Sequence, residues 1–580
     1  MTNRLVTLLV AAAVLTGCQP APPEPADLVL VNARVYTLSW PDPGRDGTPA
    51  AGAPRDRQGW HPDAEAVAIR GDRIVFAGAQ AEADRYRGPA TRVIDLEGAT
   101  LVPGLIDSHT HVAELGARLT SVDLTGVATE AEAVERVAAR AAQVPRGEWI
   151  VGRGWDEGAW ANRYPTMALL SERVPDHPVV LFSLHGFAIW GNRLAFERAG
   201  ITRATTAPTG GEIRVDARGN PTGVLLNRAT PLLASAVPQP SPEQYERIVL
   251  AGLQAMADSG YVGIHEAGVD AALMQAFESL DARRLLPVRV YAMISARDGD
   301  LSRAWLQRGP KVAEGDSRLT VRAVKAYYDG ALGSRGARLL DDYADMPGHR
   351  GVSGEGYGFD QALVAEMMKA GFQVGIHAIG DAGNRETLDF IAAVNADSER
   401  SRAARHRIEH AQIVAPQDLP RFAELGVTAS MEPPHAVEDK AWAEARVGPE
   451  RIKGGYAWRS LRQSGAHIIF NSDLTGSDHN IFYGLHSAIT RRDRDLQPPG
   501  GWHPEQRFTP EEALRAYTIW AAWSAFQEAD TGIIAAGRWA DLTALEPDPL
   551  VTAEATPDTL LGGRVRLTVV GGRVAYEGRR

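Results

Sequence analysis

The sequence predicts an α/β protein built on a (β/α)8 TIM-like barrel, with a composite β-sandwich made from both termini and a cap inserted after barrel strand 1. Three observations predict this. Eight short apolar runs, separated by helical patterns, each end in a polar, reactive residue type. Strand-like segments stand at both ends of the chain, and the stretch from about Gly116 to Pro240 is too long for one crossover. Buried strands alternating with helices argue for a parallel sheet covered by helices, and eight such units close a barrel.

The runs are Leu101–His111, Tyr261–Glu266, Val288–Ser295, Leu319–Asp329, Phe372–Ile379, His406–His410, Val427–Glu432 and His467–Asp473. In a barrel their carboxyl-terminal ends share one mouth, where chemistry sits. The helical patterns have their own start signals. Thr129 with Glu132 forms a capping box; Ser241-Pro242-Glu243-Gln244 and Thr509-Pro510-Glu511-Glu512 each open a helix, and Asp360 opens one that Gly371 can end. Val249, Leu253 and Met256 then share one helix face.

Leu28–Val31, Ala66–Ile69, Ile74–Phe76 and Arg92–Asp95 read as strands near the start. Ala540–Leu545, Val565–Val570 and Arg573–Tyr576 do so at the end, with Gly571-Gly572 as a hairpin turn. The expected units are residues 27–103 with 530–580 for the sandwich and 104–529 for the barrel. The cap, about 116–240, carries Gly152-Arg153-Gly154-Trp155-Asp156 and Gly210-Gly211-Glu212-Ile213. Residues 41–63, rich in Pro, Gly, Asp and Arg, read as an exposed or disordered loop.

Residues 1–17 read as a signal and 18–26 as a Pro-rich tether. Arg4 precedes the apolar stretch Leu5–Leu15, which is too short for a lasting membrane span. Leu15-Thr16-Gly17-Cys18 resembles the lipobox of bacterial lipoproteins. That resemblance implies cleavage before Cys18, a lipid on it and attachment to a membrane of the cell envelope. With Gln19 next, it implies the periplasmic side of the outer membrane in a Gram-negative cell. A plain secretory signal is the alternative.

Among 580 residues, 44% are hydrophobic and 23% charged, which excludes a wholly disordered chain, a collagen and a multi-span membrane protein. The formal net charge of −11 leaves no global electrostatic reason to bind nucleic acid. The single cysteine excludes an intrachain disulfide and a cysteine-based zinc site. A homo-oligomer is compatible with everything above.

His109-Thr110-His111 ends the first run, and residues i and i+2 of a strand point to the same side. Two imidazoles there can chelate one metal. His377, His410 and Asp473 end three further runs. Imidazole and carboxylate suit zinc, and also manganese, iron or nickel. Lys325 lies inside the run Leu319–Asp329, where a charge is costly unless removed or paired. It could be neutral and reactive, forming a carbamate with carbon dioxide as an anionic bridge between metals, or it could pair with an Asp. Asp107, two residues before His109, could orient an imidazole.

These motifs resemble the amidohydrolase superfamily, and more closely amidohydrolase family 3, the branch with N-substituted formamide deformylases. The resemblance rests on Pro103-Gly104-Leu105-Ile106-Asp107-Ser108-His109-Thr110-His111, Gly152–Asp156, Lys325 with Asp329-Gly330-Ala331-Leu332-Gly333-Ser334-Arg335, His377-Ala378-Ile379-Gly380-Asp381, Arg407-Ile408-Glu409-His410 and Asn471-Ser472-Asp473. It implies one or two divalent metals, with His109 and His111 on one, His377 and His410 on the other, carbamylated Lys325 between them, and Asp473 as ligand and proton shuttle. The chain departs from the family pattern at His185-Gly186-Phe187, Asn227 and Glu432-Pro433, where the family has Asp-Gly-His, Glu and Gln-Pro.

The expected activity is hydrolysis of a carbon–nitrogen bond in a small amide, N-acyl amine or cyclic amide by hydroxide activated on the metal. Trp155, Asp156, Tyr327, Glu432 and His435 are the candidate pocket residues, His435 also as an oxyanion stabiliser. Two alternatives stand beside it: the same centre cleaving an ester, lactone or phosphoester, and a non-catalytic envelope lipoprotein that binds metal or a small ligand.

Overall fold

The eight apolar runs form one sheet in the computed structural model, which describes residues 23–156, 160, 164–184 and 187–578. The signal, Cys18 and His185-Gly186 lie outside the described residues. The strands are β1 (Leu105–Thr110), β2 (Tyr261–Val269), β3 (Arg289–Ser295), β4 (Leu319–Tyr327), β5 (Gln373–Ala378), β6 (Arg407–His410), β7 (Thr428–Met431) and β8 (His467–Phe470). Each pairs in parallel with its sequence neighbour. The two edges approach each other: Thr110 bridges Leu474, and the Asp473 amide donates to the His109 carbonyl at 3.1 Å. The result is a nearly closed barrel. Every residue of β1, β6 and β7 is buried, as expected for strands covered on both faces.

The first run is not one strand. Thr100–Pro103 belongs to a separate sheet, and β1 starts after Gly104. The Gly104 amide donates to the Asp541 carbonyl at 2.9 Å, and a Cβ there would collide with the Val262 side chain. Glycine lets the chain pass from one sheet to the other at this contact.

Two smaller sheets contain the terminal segments. Leu28–Val31, Ala66–Arg70, Arg73–Gly78 and Arg92–Asp95 form one; Arg34–Val35, Thr100–Pro103, Leu542–Glu546, Arg564–Val570 and Arg573–Glu577 form the other. Leu30, Val67 and Ile69 from the first share an apolar cluster with Leu101, Leu542 and Val569 from the second. Gly571 and Gly572, at φ 53° and 72°, make the tight turn the sequence predicts.

Residues 41–63 are not a loose loop. The Trp40 indole donates to Glu511 at 2.7 Å, Arg515 donates to the Trp40 carbonyl at 2.9 Å, and Arg459 to the Arg45 carbonyl at 3.1 Å. Trp60 is buried as well. Most of the segment is exposed, as its composition suggested, but buried Arg459 and Arg515 find acceptors in it, the Arg45 carbonyl and the Asp42 carboxylate, which ties it to the helix Pro510–Ala516 and its neighbours.

The long stretch after β1 contains a mixed six-stranded sheet ordered Val122–Asp123, Ile150–Trp155, Val179–Ser183, Ala188–Gly191, Pro221–Asn227, Gly211–Val215. It is flanked by the helices Val112–Thr120 and Pro242–Asp258. These cross at Gly116 and Gly252, where a Cβ on either would strike the other helix's backbone. The close crossing fixes the helix that follows His111. Among the described residues no helix is long and apolar enough to cross a membrane.

Candidate active site

Asp473 is the meeting point of the candidate side chains. Its Oδ1 lies 3.2 Å from His111 Nε2 and 3.6 Å from His109 Nε2. The Lys325 Nζ is 3.2 Å from the same His109 Nε2. The His410 ring lies 5.3 Å from that of His109 and 4.5 Å from that of His377. Contacts thus link the six side chains, from β1 and the residue after it, β4, β5, β6 and the turn after β8, into one cluster at the carboxyl-terminal end of the barrel.

The backbone is bent to achieve this. His410 and Asp473 have φ of 74° and 46°, in the left-handed region that non-glycine residues avoid. At His410 the bend breaks strand alternation, so that consecutive Glu409 and His410 both face the cluster. Such strain concentrates at functional sites.

Burial sets the charges. Burial would raise the Asp473 carboxyl, but the His111 hydrogen bond and the imidazoles around it hold it well below the usual carboxylate range. Burial, aided by the Lys325 charge, lowers His109 to about 4, and burial with His410 takes His377 well down. Both are therefore neutral imidazoles, the form that ligates metal. His111 and His410 move up despite burial, because Asp473 and Glu432 respectively hydrogen bond to them. Burial lowers the Lys325 amine to about 8.

Lys325 makes no ion pair with Asp329. That carboxylate accepts backbone N–H groups of Ile379, Gly380 and Arg338 at 2.9, 2.9 and 2.8 Å, and His377 Nε2 lies 3.7 Å from it. The pairing alternative for Lys325 is corrected accordingly.

Asp107 does not orient an imidazole. It accepts the Ser472 hydroxyl at 2.6 Å and the Ser472 amide at 3.1 Å, pinning the turn that presents Asp473. Glu409 orients His109 instead, with Oε2 2.7 Å from Nδ1. Glu409 is itself held by Arg407, whose Nη2 donates to Oε2 at 2.9 Å and whose Nε lies 2.8 Å from Oε1. Both side chains are fully buried, and Arg407 also donates to the Ser108 carbonyl and the Ser430 hydroxyl. Glu266, at the end of the second run, accepts the Thr110 hydroxyl at 2.7 Å and the Val112 amide at 2.9 Å, holding the chain around His111. Sequence reasoning assigned neither glutamate a role. The alternation Arg407-Ile408-Glu409 was the available signal for an inward ion pair.

The candidate pocket residues divide. Trp155 is fully buried inside the inserted sheet's apolar cluster against Trp160 and Trp190, with its indole donating to the Leu181 carbonyl, so it offers substrate no surface. Asp156 follows it and is half-buried. Tyr327 ends β4 with its ring 5.7 Å from His377 and the Arg297 guanidinium stacked 4.0 Å above it. Glu432 and His435 follow β7, with Glu432 Oε2 3.3 Å from His410 Nδ1 and 3.6 Å from His435 Nδ1. Beside the mouth, a cavity of about 990 Å3 separates the insert from the turn after Asp473; Arg118, Arg153, Phe182, Leu474 and His479 are in its wall.

The donor set fits a divalent cation. Ligand atoms of His109, His111 and Asp473 lie within 4.8 Å of one another, as do those of His410, His435 and Asp473. The buried His377 Nε2 has no hydrogen-bond partner among the described residues. A nearly closed parallel barrel with this cluster at its mouth defines a metal-dependent hydrolase of the amidohydrolase superfamily.

The chain belongs to the amidohydrolase family, whose profile matches residues 92–576. It is 31% identical to Protein LONG AFTER FAR-RED 3 of Arabidopsis thaliana, covering 89% of both chains. It is 28% identical to an N-substituted formamide deformylase of Arthrobacter pascens over 95% of this chain and 98% of that one. An uncharacterized metal-dependent hydrolase from Pyrococcus furiosus superposes with a TM-score of 0.69 at 27% identity, covering 90% of this chain and 99% of that chain.

Proposed function

We propose that the protein hydrolyses a carbon–nitrogen bond outside peptides, in an amide, N-acyl amine or cyclic amide. The observation that carries the reading is the ionised Asp473 carboxylate 3.2 Å from His111 Nε2 and 3.6 Å from His109 Nε2. The similarity to the Arthrobacter pascens deformylase supports the substrate class.

His109, His111 and Asp473 would hold the cation, with Lys325, His377 and His410 around it. A divalent metal, zinc being the best match to these donors, brings the pKa of water toward neutrality and polarises a carbonyl. Asp473 accepts the proton of the attacking water and returns it to the leaving nitrogen. Its side chain is aimed for this by the turn that Asp107 and Ser472 pin. Glu409 keeps the His109 proton on Nδ1 and leaves Nε2 unprotonated, facing Lys325 and Asp473. Lys325, with its amine lowered to about 8, reaches the neutral form that carbon dioxide carbamylates, giving the cluster a further anionic ligand. The Leu15–Cys18 motif fits a lipid anchor to the cell envelope, which replacing Cys18 by serine would release into the soluble fraction.

Zinc-loaded protein should turn over at least one of a panel of N-formyl, N-acyl and cyclic amides. Asp473→Asn should lower that rate by about 10²–10⁴-fold while leaving the circular dichroism unchanged. Turnover of matched esters with none of amides would overturn the substrate class, and full activity of Asp473→Asn would overturn the mechanism.

A further inference from the structure

At the amino-terminal end of the barrel, away from the candidate active site, a cavity of about 300 Å3 lies between the barrel and both terminal sheets. Its wall combines Arg289 and Arg318, where β3 and β4 begin, with the turns at Gly71-Asp72 and Gly571 and with Arg573. Four carboxylates stand in or beside it, and each is engaged. Asp281 accepts the Ser317 hydroxyl at 2.6 Å and the Arg318 amide at 2.8 Å. Asp316 lies 2.8 Å from Arg284, and Asp72 lies 3.7 Å from Arg73. Asp541 accepts from Arg289 at 2.7 and 3.2 Å and from the Gly571 amide at 2.8 Å. Among the described residues neither Arg318 nor Arg573 makes an ion pair with a carboxylate.

The Arg318 guanidinium is clamped by carbonyls. Its Nη1 donates to Leu286 and Pro287 at 2.7 and 3.0 Å, and its Nη2 to Val570 at 2.7 Å. A guanidinium carries five N–H groups, so one on Nη2 and the one on Nε are left over. Arg289 keeps a spare N–H on Nη2 in the same way, and its guanidinium is held 3.7 Å from the centre of the Trp539 ring. The two Nη2 atoms border one space: a Cβ built on Gly571 would lie 3.4 Å from that of Arg318 and 3.5 Å from that of Arg289. Burial, with the charges of Arg289 and Arg573, lowers Arg318 to about 10. Like charges thus converge on a gap that glycine leaves open.

We infer that this seam binds a phosphate-type dianion, free phosphate or a small soluble phosphomonoester, between the guanidiniums of Arg318 and Arg289 with Arg573 at the rim. A tetrahedral oxyanion offers oxygens to donors arriving from several sides, and its hydrogen bonds to guanidinium are charge-assisted. Arg289 and Arg318 belong to the barrel and Arg573 to a terminal sheet, so an anion held by all three fastens one to the other. In barrels of this kind that end serves stability rather than chemistry. The site needs no metal and stands apart from the proposed function.

The test is thermal unfolding and calorimetric titration of the full chain with inorganic phosphate. Phosphate should raise the unfolding midpoint saturably by about 1–3 °C, because a ligand of the folded state stabilises it. Sulfate should do the same, and chloride at matched ionic strength should not. Phosphate can also reach a metal, so the titration is repeated on metal-stripped protein, where the response should survive. Arg573→Ala, at an exposed position, should weaken phosphate about 10-fold or more. Gly571→Asp places a carboxylate in the gap, and Gly571→Asn fills it without the charge; both residue types accept the φ of 53° and suit a turn before Gly572. Both variants should lose the phosphate response, and in phosphate-free buffer the Asp variant should melt above the Asn variant. An equal effect of chloride, loss of the response on metal removal, or unchanged phosphate affinity in Arg573→Ala and Gly571→Asp would overturn the site. So would a response confined to vesicles of phosphatidic acid, which would move the ligand from a soluble anion to a lipid headgroup.

Discussion

Glu409 and Arg407 form a fully buried ion pair beneath the site, and the Glu409 oxygen that receives Arg407 Nη2 at 2.9 Å also stands 2.7 Å from His109 Nδ1. The pair couples barrel stability to the site. Burial would raise Glu409, but Arg407 and the His109 contact hold it well below the usual carboxylate range. Glu409→Gln strands the Arg407 charge inside the barrel, and breaking such a pair costs about 3–5 kcal/mol. It should also weaken metal binding about 10–100-fold by releasing the His109 tautomer. Urea unfolding and zinc titration read the two effects separately. The double variant Arg407→Met with Glu409→Gln should recover stability without recovering affinity; recovery of both would show that Glu409 acts only through packing.

Lys325 is 1% exposed, and its only charged or polar contact below 3.5 Å among the described residues is His109. If its role is to carry a carbamate, metal uptake by stripped protein should rise with added bicarbonate. Lys325→Ala should bind less metal and show no bicarbonate response. Uptake by wild type that is indifferent to bicarbonate would remove the carbamate from the mechanism.

His406, buried where β6 begins, accepts the Val374 amide at 3.1 Å and lies 3.0 Å from the Ser401 hydroxyl. Burial pushes the imidazole down to about 3. Below its ordinary pKa of about 6.5 the unfolded chain takes a proton there that the folded chain refuses, so stability falls as pH drops through that window. The loss from this one residue is on the order of 2 kcal/mol at pH 5. His406→Gln should be less stable at pH 7 but lose less between pH 7 and pH 5, as urea midpoints at the two values would record. Parallel losses in both proteins would exclude His406 as the source.

Gly116 meets the Ile248 carbonyl where the helices after β1 and before β2 cross. In an open helix Gly→Ala stabilises by about 1 kcal/mol. Here the added methyl would strike backbone, and overpacking of about 1–3 kcal/mol should win. Gly116→Ala is therefore expected to lower the thermal midpoint and to displace the helix that follows His111. A rise in the midpoint would mean that the helices separate at little cost.

The barrel strands were legible as local apolar runs whose burial follows from their own composition, although the first run proved to span two sheets. The sequence also named the histidines, Lys325 and Asp473, since the residue types and their place at the ends of runs are local facts. Partners were different. Asp107 lies two residues from His109 and was expected to hold its ring, yet Glu409, 300 residues away, does so, and Asp107 holds Ser472. Trp155 looked like a pocket wall because it adjoins a polar motif, but the inserted sheet turns it into the core. That the exposed residues 41–63 are held in place was not legible, because the partners of Asp42, Arg515 and Trp520, come from the far end of the chain. Folding settles these pairings, because barrel closure brings edge strands together from opposite ends of the chain, and no local pattern records which buried donor will meet which buried acceptor.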